Sequence, residues 1–224
     1  MSAVVFDIET LGFPLDAFDA TQQEYLLKFA DTDEKREAEI QKFSLHALTA
    51  RVIAIGMLNP ETGSGKVFYH SDAAERSLYE DGKIEFLSGD ERECLRQFWE
   101  TIEKFDRFIT FNGRGFDCPF IMLRSAVMGV KPTRNLVPYR YDYTKHCDLL
   151  DQMTFYGTTR KFNLDFYCKA FGIRSPKSEG ITGADLGPLF RAGRFREIAA
   201  YCLGDIIATA ELYRKWESYL AVNA

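Results

Sequence analysis

The chain has 224 residues, with 28 basic and 33 acidic side chains, a net charge of −5 and 46% hydrophobic residues. These values suffice for a folded core and exclude a disordered chain, a collagen-like fibre and a disulfide-rich miniprotein. No segment approaches 18 consecutive apolar residues, and the N-terminus carries an acid where a secretory signal would be basic. We therefore expect a cytoplasmic protein with no membrane partner.

The cysteines are five in number, which is odd, and no two have the C-x-x-C spacing of a zinc or redox site. We predict that they are reduced and mostly buried, because free cysteine behaves as a small apolar residue. No disulfide-linked partner is expected.

The first half of the chain alternates short apolar runs with charged stretches, which predicts strands separated by turns and surface helices. A turn rich in proline and glycine between two apolar runs is typical of a β-hairpin. In order, we predict a strand at 2–6, one or two surface helices at 15–45, a hairpin with strands at 51–58 and 66–70, and a short strand at 83–87.

The second half begins with apolar residues at helical spacing and ends with a long, nearly uncharged helix. Asp117 is predicted to cap the helix that follows it, because Pro119 suits a first turn. In order, we predict a helix at 91–105, a strand at 107–111, a helix at 118–129, a basic loop at 131–145, a short apolar segment at 147–150, a helix at 164–171, a loop at 172–183 and closing helices at 184–220.

This alternation predicts an α/β fold with a mixed central β-sheet flanked by α-helices. No repeat or linker divides the sequence, so we expect a single domain over residues 1–224. The charged helical segment, at about 13–48, is predicted to be an insertion in it.

At two places in the sequence, acidic residues are candidates for a functional role rather than only for solvated surface. Asp7 and Glu9 are two residues apart near the end of the first strand, so both side chains leave the same face. Asp205 lies between Gly204 and Ile206 in a helix without lysine or arginine from residue 197 to 213. A buried carboxylate must be paired or bind a cation, and no base on that helix can pair with Asp205.

Two further residues belong to this pattern. Tyr201 lies one helical turn before Asp205 on the same face, and Asp117 lies at a strand-to-helix junction, where a catalytic side chain would be accessible. Other readings stay open: Asp7 and Glu9 could be solvated, Tyr201 could be a core residue and Asp117 only a cap. If the acids meet, an all-oxygen site selects Mg²⁺ or Mn²⁺ over zinc or copper.

The residues at 7–10 (Asp-Ile-Glu-Thr), 112–117 (Asn-Gly-Arg-Gly-Phe-Asp) and 201–205 (Tyr-Cys-Leu-Gly-Asp) resemble the three motifs of the DEDD superfamily of 3′-5′ exonucleases. The spacing of Tyr201 and Asp205 resembles the DEDDy branch. More closely, the chain is similar to stand-alone predicted exonucleases that resemble the proofreading domain of family-B DNA polymerases.

That resemblance implies a ribonuclease H-like fold and two-metal hydrolysis of phosphodiester bonds at 3′ ends, releasing nucleoside monophosphates. By position, Asp7 would bridge two Mg²⁺ or Mn²⁺ ions, Glu9 and Asp205 would hold the first, and Asp117 would reach the second. Tyr201 would orient the attacking water. The resemblance also assigns contacts with the substrate to four residues: Thr10, Leu11, Asn112 and Phe116.

The sequence thus predicts a 3′-5′ exonuclease acting on single-stranded nucleic acid with a free 3′ end, DNA more than RNA. Residues 131–196 carry 12 basic and 6 acidic side chains and are the candidate track for the strand. Two alternatives stay open: a catalytically silent nucleic-acid-binding module of the same fold, and an endonuclease of ribonuclease H type. Neither the oligomeric state nor a protein partner follows from the sequence.

Overall fold

The computed structural model describes residues 2–79, 82–175 and 180–221. These residues form a mixed seven-stranded sheet, with strand order β4-β5-β3-β2-β1-β6-β7. The strands are β1 (Ala3–Gly12), β2 (Ala50–Leu58), β3 (Gly65–His70), β4 (Arg76–Leu78), β5 (Ile84–Gly89), β6 (Arg107–Thr110) and β7 (His146–Asp148).

Helices cover both faces of the sheet. They are α1 (Ala20–Leu26), α2 (Asp33–Gln41), α3 (Glu91–Ile102), α4 (Asp117–Val127), α5 (Leu149–Met153), α6 (Leu164–Ala170), α7 (Leu186–Arg191) and α8 (Phe195–Tyr219). Single turns of 3₁₀ helix lie at Leu15–Ala17, Lys42–Leu45 and Gly183–Asp185. Among the described residues, no helix has the length and apolar character needed to span a membrane.

Strand β1 is central and pairs differently on its two sides. It runs antiparallel to β2 and parallel to β6, which in turn is parallel to β7. Its side chains alternate between two cores, because successive residues of a strand point to opposite faces. Val4, Phe6 and Ile8 pack on the side of α3 and α4, whereas Val5 packs with residues of α8.

Most of the predicted elements are confirmed, with corrected boundaries. The hairpin is formed by β2 and β3, the strand at 83–87 is β5, and the amphipathic helix at 91–105 is α3, ending at Ile102. All five cysteines are buried, as predicted.

Two predicted elements were wrong in their extent, and one strand was missed. The first strand does not stop at residue 6 but continues to Gly12, because pairing with β2 continues past a register shift between Glu9 and Thr10. The apolar segment at 147–150 divides into β7 and α5, and β4 was not predicted. Residues 176–179 of the predicted loop at 172–183 lie outside the described residues.

The charged segment at 13–48 contains α1 and α2, both without buried residues. The side chains of Asp19 and Thr32 accept hydrogen bonds from backbone N–H groups of the first turns, which caps both helices. Phe43 is buried against the sheet, and the ring of Phe18 packs on it at 5.6 Å between centroids. The segment is therefore anchored mainly by the aromatic residue Phe43, with Ala30 and Ala47 also buried, while α1 and α2 face solvent.

Candidate active site

The two acids of β1 lie level with the carboxyl ends of its parallel neighbours. Val5 is opposite Ile109 of β6, and Thr110 of β6 is opposite Asp148 of β7, so Asp7 lies just beyond the last paired residues of β6 and β7. Ligand sites of open α/β sheets lie at such carboxyl ends. An oxygen of Asp7 and one of Glu9 are within 4.8 Å of each other.

Helix α8 brings Asp205 to these two acids. Besides burial, the negative charges of Asp117 and Asp205 raise the pKa of Asp7, and that of Asp205 raises the pKa of Glu9, so Asp205 lies close to both acids of β1. Asp205 and Asp7 are partly exposed, whereas Glu9 is only 8% exposed. The cluster is therefore accessible to solvent at Asp7 and Asp205, while Glu9 lies in the interior of the protein.

Close contact between α8 and β2 depends on Gly56, which the sequence analysis did not identify. Gly56 pairs with Asp7 in the sheet. A Cβ atom at Gly56 would lie 3.0 Å from Cδ1 of Ile206 and 3.1 Å from Sγ of Cys202. The missing side chain thus sets the distance at which the helix carrying Asp205 packs on the sheet.

Replacing Gly56 with alanine should lower the exonuclease activity that the sequence predicts by at least about tenfold, because displacements well below 1 Å already cost rate in a positioned site. The overpacking should cost only about 1–3 kcal/mol of stability. Single-turnover hydrolysis and thermal denaturation measure the two effects. Gly183→Ala is the matched control, because no atom lies within 4 Å of the added methyl group; equal activity of both variants would contradict the packing argument.

Asp117 reaches the cluster from the first turn of α4. The prediction that Asp117 caps this helix was wrong: the helix begins at Asp117 itself, after Phe116. The Oδ1 atom of Asp117 instead accepts a hydrogen bond of 3.0 Å from the backbone N–H of Ile8, between the two acids of β1. This contact fixes the carboxylate beside Asp7 and Glu9.

Burial and mutual repulsion make these carboxyl groups unusually hard to ionise. Burial is the main cause that raises the pKa of Asp7 and Glu9 well above ordinary values, and the neighbouring acids add to it. Burial likewise raises the pKa of Asp117 to about 7, against the opposing effect of the hydrogen bond from Ile8. The cluster therefore binds protons more readily than ordinary carboxyl groups do, and cations can take the place of those protons.

Tyr201 lies one helical turn before Asp205 and is half-buried. Burial, followed by the negative charges of Asp205, Glu9 and Asp7, raises its pKa above the ordinary value of a tyrosine. The hydroxyl group therefore keeps its proton throughout the neutral range. Tyr201 can donate a hydrogen bond at this site but cannot serve as a base.

The four residues predicted to touch substrate have different surroundings. Thr10 donates a hydrogen bond of 2.7 Å from its hydroxyl to the carbonyl oxygen of Ser44, and Leu11 packs against the core on the α8 side. Asn112 is exposed and has a left-handed backbone conformation, with φ of 63°. Phe116 is half-buried, with its ring 5.5 Å from that of Phe120.

Asp148 positions the loop that precedes Asp117. Its carboxylate oxygens accept hydrogen bonds of 2.9 Å from the backbone N–H groups of Asn112 and Arg114, and one oxygen also caps α5. By its position in the sequence, Asp148 is an acid at another strand end that could support the site or be a plain loop or cap residue; its contacts with the two amides were not predictable, because those amides lie more than 30 residues away. Asp148 therefore supports the site rather than completing the cluster.

Comparison with known proteins matches residues 41–221 to the family described as "Predicted 3'-5' exonuclease related to the exonuclease domain of PolB". The chain belongs to this family. The matched segment includes Asp117, Tyr201 and Asp205, whereas Asp7 and Glu9 precede it. The assignment of the two β1 acids to the same site thus depends on the geometry described above.

A solved structure with the same fold is the family B DNA polymerase from the hyperthermophilic archaeon Pyrobaculum calidifontis. The TM-score is 0.61 at 21% sequence identity, over 96% of this chain and 24% of the polymerase. The chain thus spans about a quarter of that polymerase's length. No curated protein matches the chain. The exonuclease-family chain therefore has the predicted α/β fold, a mixed ribonuclease H-like sheet flanked by helices.

Proposed function

We propose that the chain hydrolyses single-stranded nucleic acid from its 3′ end and releases nucleoside monophosphates, with DNA preferred to RNA. The observation that carries this proposal is the convergence of Asp7, Glu9, Asp117 and Asp205 at the carboxyl edge of the parallel strands. Membership of a family related to a DNA polymerase exonuclease domain supports the polarity and the preference for DNA.

The donor set fits hard divalent cations. Four carboxyl groups offer only oxygen atoms, the ligands that Mg²⁺ and Mn²⁺ prefer. Cys202 lies beside them, but burial raises the pKa of its thiol well above the usual value, so it stays protonated and is a poor ligand. We assign Asp7, Glu9, Asp117 and Asp205 to two such ions, which would activate water and neutralise charge on the phosphate when bound.

The chain's own residues supply position and hydrogen bonds. Tyr201 keeps its proton and orients the attacking water through its hydroxyl group. Asp117 is held by Ile8, so the two acids of β1 and the acid of α4 keep a fixed separation. We assign contacts with the terminal nucleotide to Asn112 and Phe116, and contacts with its base to Thr10 and Leu11 near the end of β1.

The proposal extends to the domain organisation. Residues 1–224 form one exonuclease domain, with the charged segment at about 13–48 inserted between β1 and β2. Both ends of this segment are tied together, since Phe13 donates a backbone hydrogen bond of 2.8 Å to Thr49. A closed insertion of this kind is tolerated without disturbing the sheet.

Incubation of the protein with single-stranded oligonucleotides in Mg²⁺ or Mn²⁺ tests the reaction. Strands labelled at the 5′ end should shorten stepwise, and strands labelled at the 3′ end should release labelled mononucleotide at once. Internal cuts would favour an endonuclease, and bound but intact strands a silent binding module. Separate assays of a single-stranded DNA and a single-stranded RNA of the same sequence measure the preference for DNA.

Replacing Tyr201 with phenylalanine should slow hydrolysis by about tenfold to a hundredfold, because only an orienting hydrogen bond is lost. The pH–rate profile should keep its shape, since the pKa of Tyr201 lies above the assay range. Hydrolysis rates measured at pH values from roughly 6 to 9 give both the size of the loss and the shape of the profile. A loss as large as that of an acid variant would show that the tyrosine is misassigned.

A further inference from the structure

Exposed aromatic side chains are concentrated beyond the ends of β6 and β7. Of the seven exposed phenylalanine and tyrosine rings among the described residues, four lie between residues 139 and 166. Together with two half-buried neighbours they form what we call the aromatic surface: Tyr139, Tyr141, Phe155, Tyr156, Phe162 and Phe166. Such a concentration is unusual for a surface that faces only water.

Five of the six rings form two groups with internal contacts, and the ring of Phe155 stands next to Tyr156 in the chain. Tyr141 lies 5.6 Å from Tyr139 and 4.7 Å from Tyr156, measured between ring centroids. Phe162 stacks on Phe166 at 4.3 Å, with the two planes 11° apart. These contacts keep the rings in fixed orientations, so a ligand that stacks on them loses less conformational entropy of the protein.

Both groups are fastened to the strand ends beside the acid cluster. The guanidinium group of Arg114 donates to the carbonyl oxygens of Pro138 and Tyr139, while its backbone N–H donates to Asp148. On the other side, Tyr167 contacts both Phe162 and Phe111, the residue that follows β6. The aromatic surface therefore begins about two strand spacings, or about 10 Å, from β1.

The backbone at Phe155 and Tyr156 is strained in a way that exposes a ring. Both residues have left-handed conformations, with φ of 51° and 59°, which non-glycine residues seldom adopt. Phe155 is nevertheless 59% exposed, so packing of its ring does not repay the strain. Strain of this kind accumulates where a side chain has a function.

The charges around the rings favour an anionic ligand. Arg160 lies over the ring of Phe162 at 5.0 Å, and Lys145 and Lys161 are exposed. Of the four acids in the same stretch, Asp148 and Asp151 are buried, and Arg140 forms a bidentate ion pair with Asp151. Asp165 pairs with Lys169, which leaves Asp142 as the one partly exposed acid of the stretch with no ion pair among the described residues. Exposed rings with cations between them fit the bases and phosphates of a single strand.

The geometry points to the aromatic surface as the site that binds the nucleotides upstream of the scissile 3′ end. This inference rests on the proposed function, since it assigns the path of the same substrate. The terminal nucleotide lies at the acid cluster, and the strand continues past the ends of β6 and β7, with its bases stacked on the two ring groups. Stacking does not distinguish the bases, so binding there is independent of sequence.

Direct binding tests the surface without hydrolysis. A 5′-fluorescein oligothymidylate of about 16 nucleotides, the upper site size of small single-strand-binding folds, is titrated in EDTA and followed by anisotropy. The triple variant Tyr141→Ala, Phe155→Gly and Phe166→Ala should weaken binding by at least about a hundredfold, since each stacked ring contributes about fivefold or more. The variant Tyr25→Ala with Phe29→Ala is the matched control, because its two rings are 79% and 85% exposed elsewhere.

Two further measurements show whether a loss of oligonucleotide affinity comes from the missing rings or from unfolding: thermal stability and the salt dependence of binding. The three substituted rings are exposed, and glycine at position 155 relieves the left-handed strain, so thermal denaturation of the triple variant should match wild type. Arg160→Gln with Lys161→Gln should lower the dependence of log Kd on log salt by about 0.7 for each lost phosphate contact.

Hydrolysis then separates this inference from the proposed function. The triple variant should cleave a dinucleotide at the wild-type rate but lose the advantage of longer strands. Wild type that binds through these rings but hydrolyses nothing would refute the nuclease and leave the surface standing. The inference would be refuted if the triple variant bound the oligonucleotide as tightly as wild type, or if wild type did not bind it at all. Either result would favour a protein as the ligand of the aromatic surface.

Discussion

Asp7→Asn and Asp205→Asn should each abolish hydrolysis, with a loss of at least about a thousandfold. Each substitution keeps the size of the side chain and removes one negative charge from a site that needs it to hold cations. Loss of about 4 kcal/mol of transition-state stabilisation corresponds to that factor, and a divalent ion contributes several kcal/mol. Single-turnover assays in Mg²⁺ and in Mn²⁺ give the rates.

The same two variants should be more stable than wild type in EDTA at pH 8. The charges of Asp205, Asp117 and Glu9 repel that of Asp7, so removing one charge lowers the cost of folding. Opposite changes of activity and stability distinguish a site residue from a structural one. Asp16→Asn, at an exposed acid, is the control and should change neither quantity. Undiminished turnover in Asp7→Asn would remove the basis of the proposed site.

Asp148→Asn offers a contrast within the same edge of the sheet. An asparagine keeps one acceptor oxygen, whereas the carboxylate of Asp148 accepts from Asn112 and Arg114 through two different oxygens. The variant therefore loses a buried hydrogen bond, whereas Asp7→Asn relieves repulsion. Two acids at one edge of the sheet therefore affect stability in opposite ways: Asp148 stabilises the fold by accepting hydrogen bonds from amides, whereas Asp7 is repelled by the neighbouring acids.

Local pattern was enough to predict much of this fold. The turn between two β-branched runs predicted the β2–β3 hairpin, and apolar spacing predicted α3, because both signals involve neighbouring residues. The absence of lysine and arginine between residues 197 and 213 marked Asp205 as an acid whose partner had to come from elsewhere than those residues. These inferences depend on periodicity and composition, which a sequence displays directly.

What the sequence could not predict depends on contacts between distant segments. The hydrogen bond from Ile8 to Asp117 joins residues 109 positions apart, so local capping rules led to the wrong partner for that carboxylate. In the sequence Gly56 is an ordinary strand residue, and its close approach to Cys202 and Ile206 exists only in the folded chain. The end of β1 was also misjudged, because pairing with β2 carries the strand past its acids.

In the absence of divalent ions, the protein should lose stability as the pH rises from about 6.5 to 8. The pKa of Asp117 is raised to about 7, and those of Asp7 and Glu9 are also raised well above their ordinary values, whereas carboxyl groups of an unfolded chain titrate near 4. Across this range the folded state therefore binds more protons than the unfolded state. Stability falls by up to about 1.4 kcal/mol per pH unit for each proton of difference.

Mg²⁺ or Mn²⁺ should abolish this fall, because the ions take the place of protons. The gain from metal should be small at pH 5.5 and grow toward pH 8, reaching about 2.7 kcal/mol at a metal concentration 100 times Kd. Urea denaturation at each pH, with EDTA or with metal, measures it. Buried His146, whose pKa is lowered to about 3, has the opposite pH dependence below 6.5, but it contributes equally with and without metal and cancels in the difference. A gain that is independent of pH, or a stability in EDTA that rises toward pH 8, would show that the four carboxyl groups do not share a cation site.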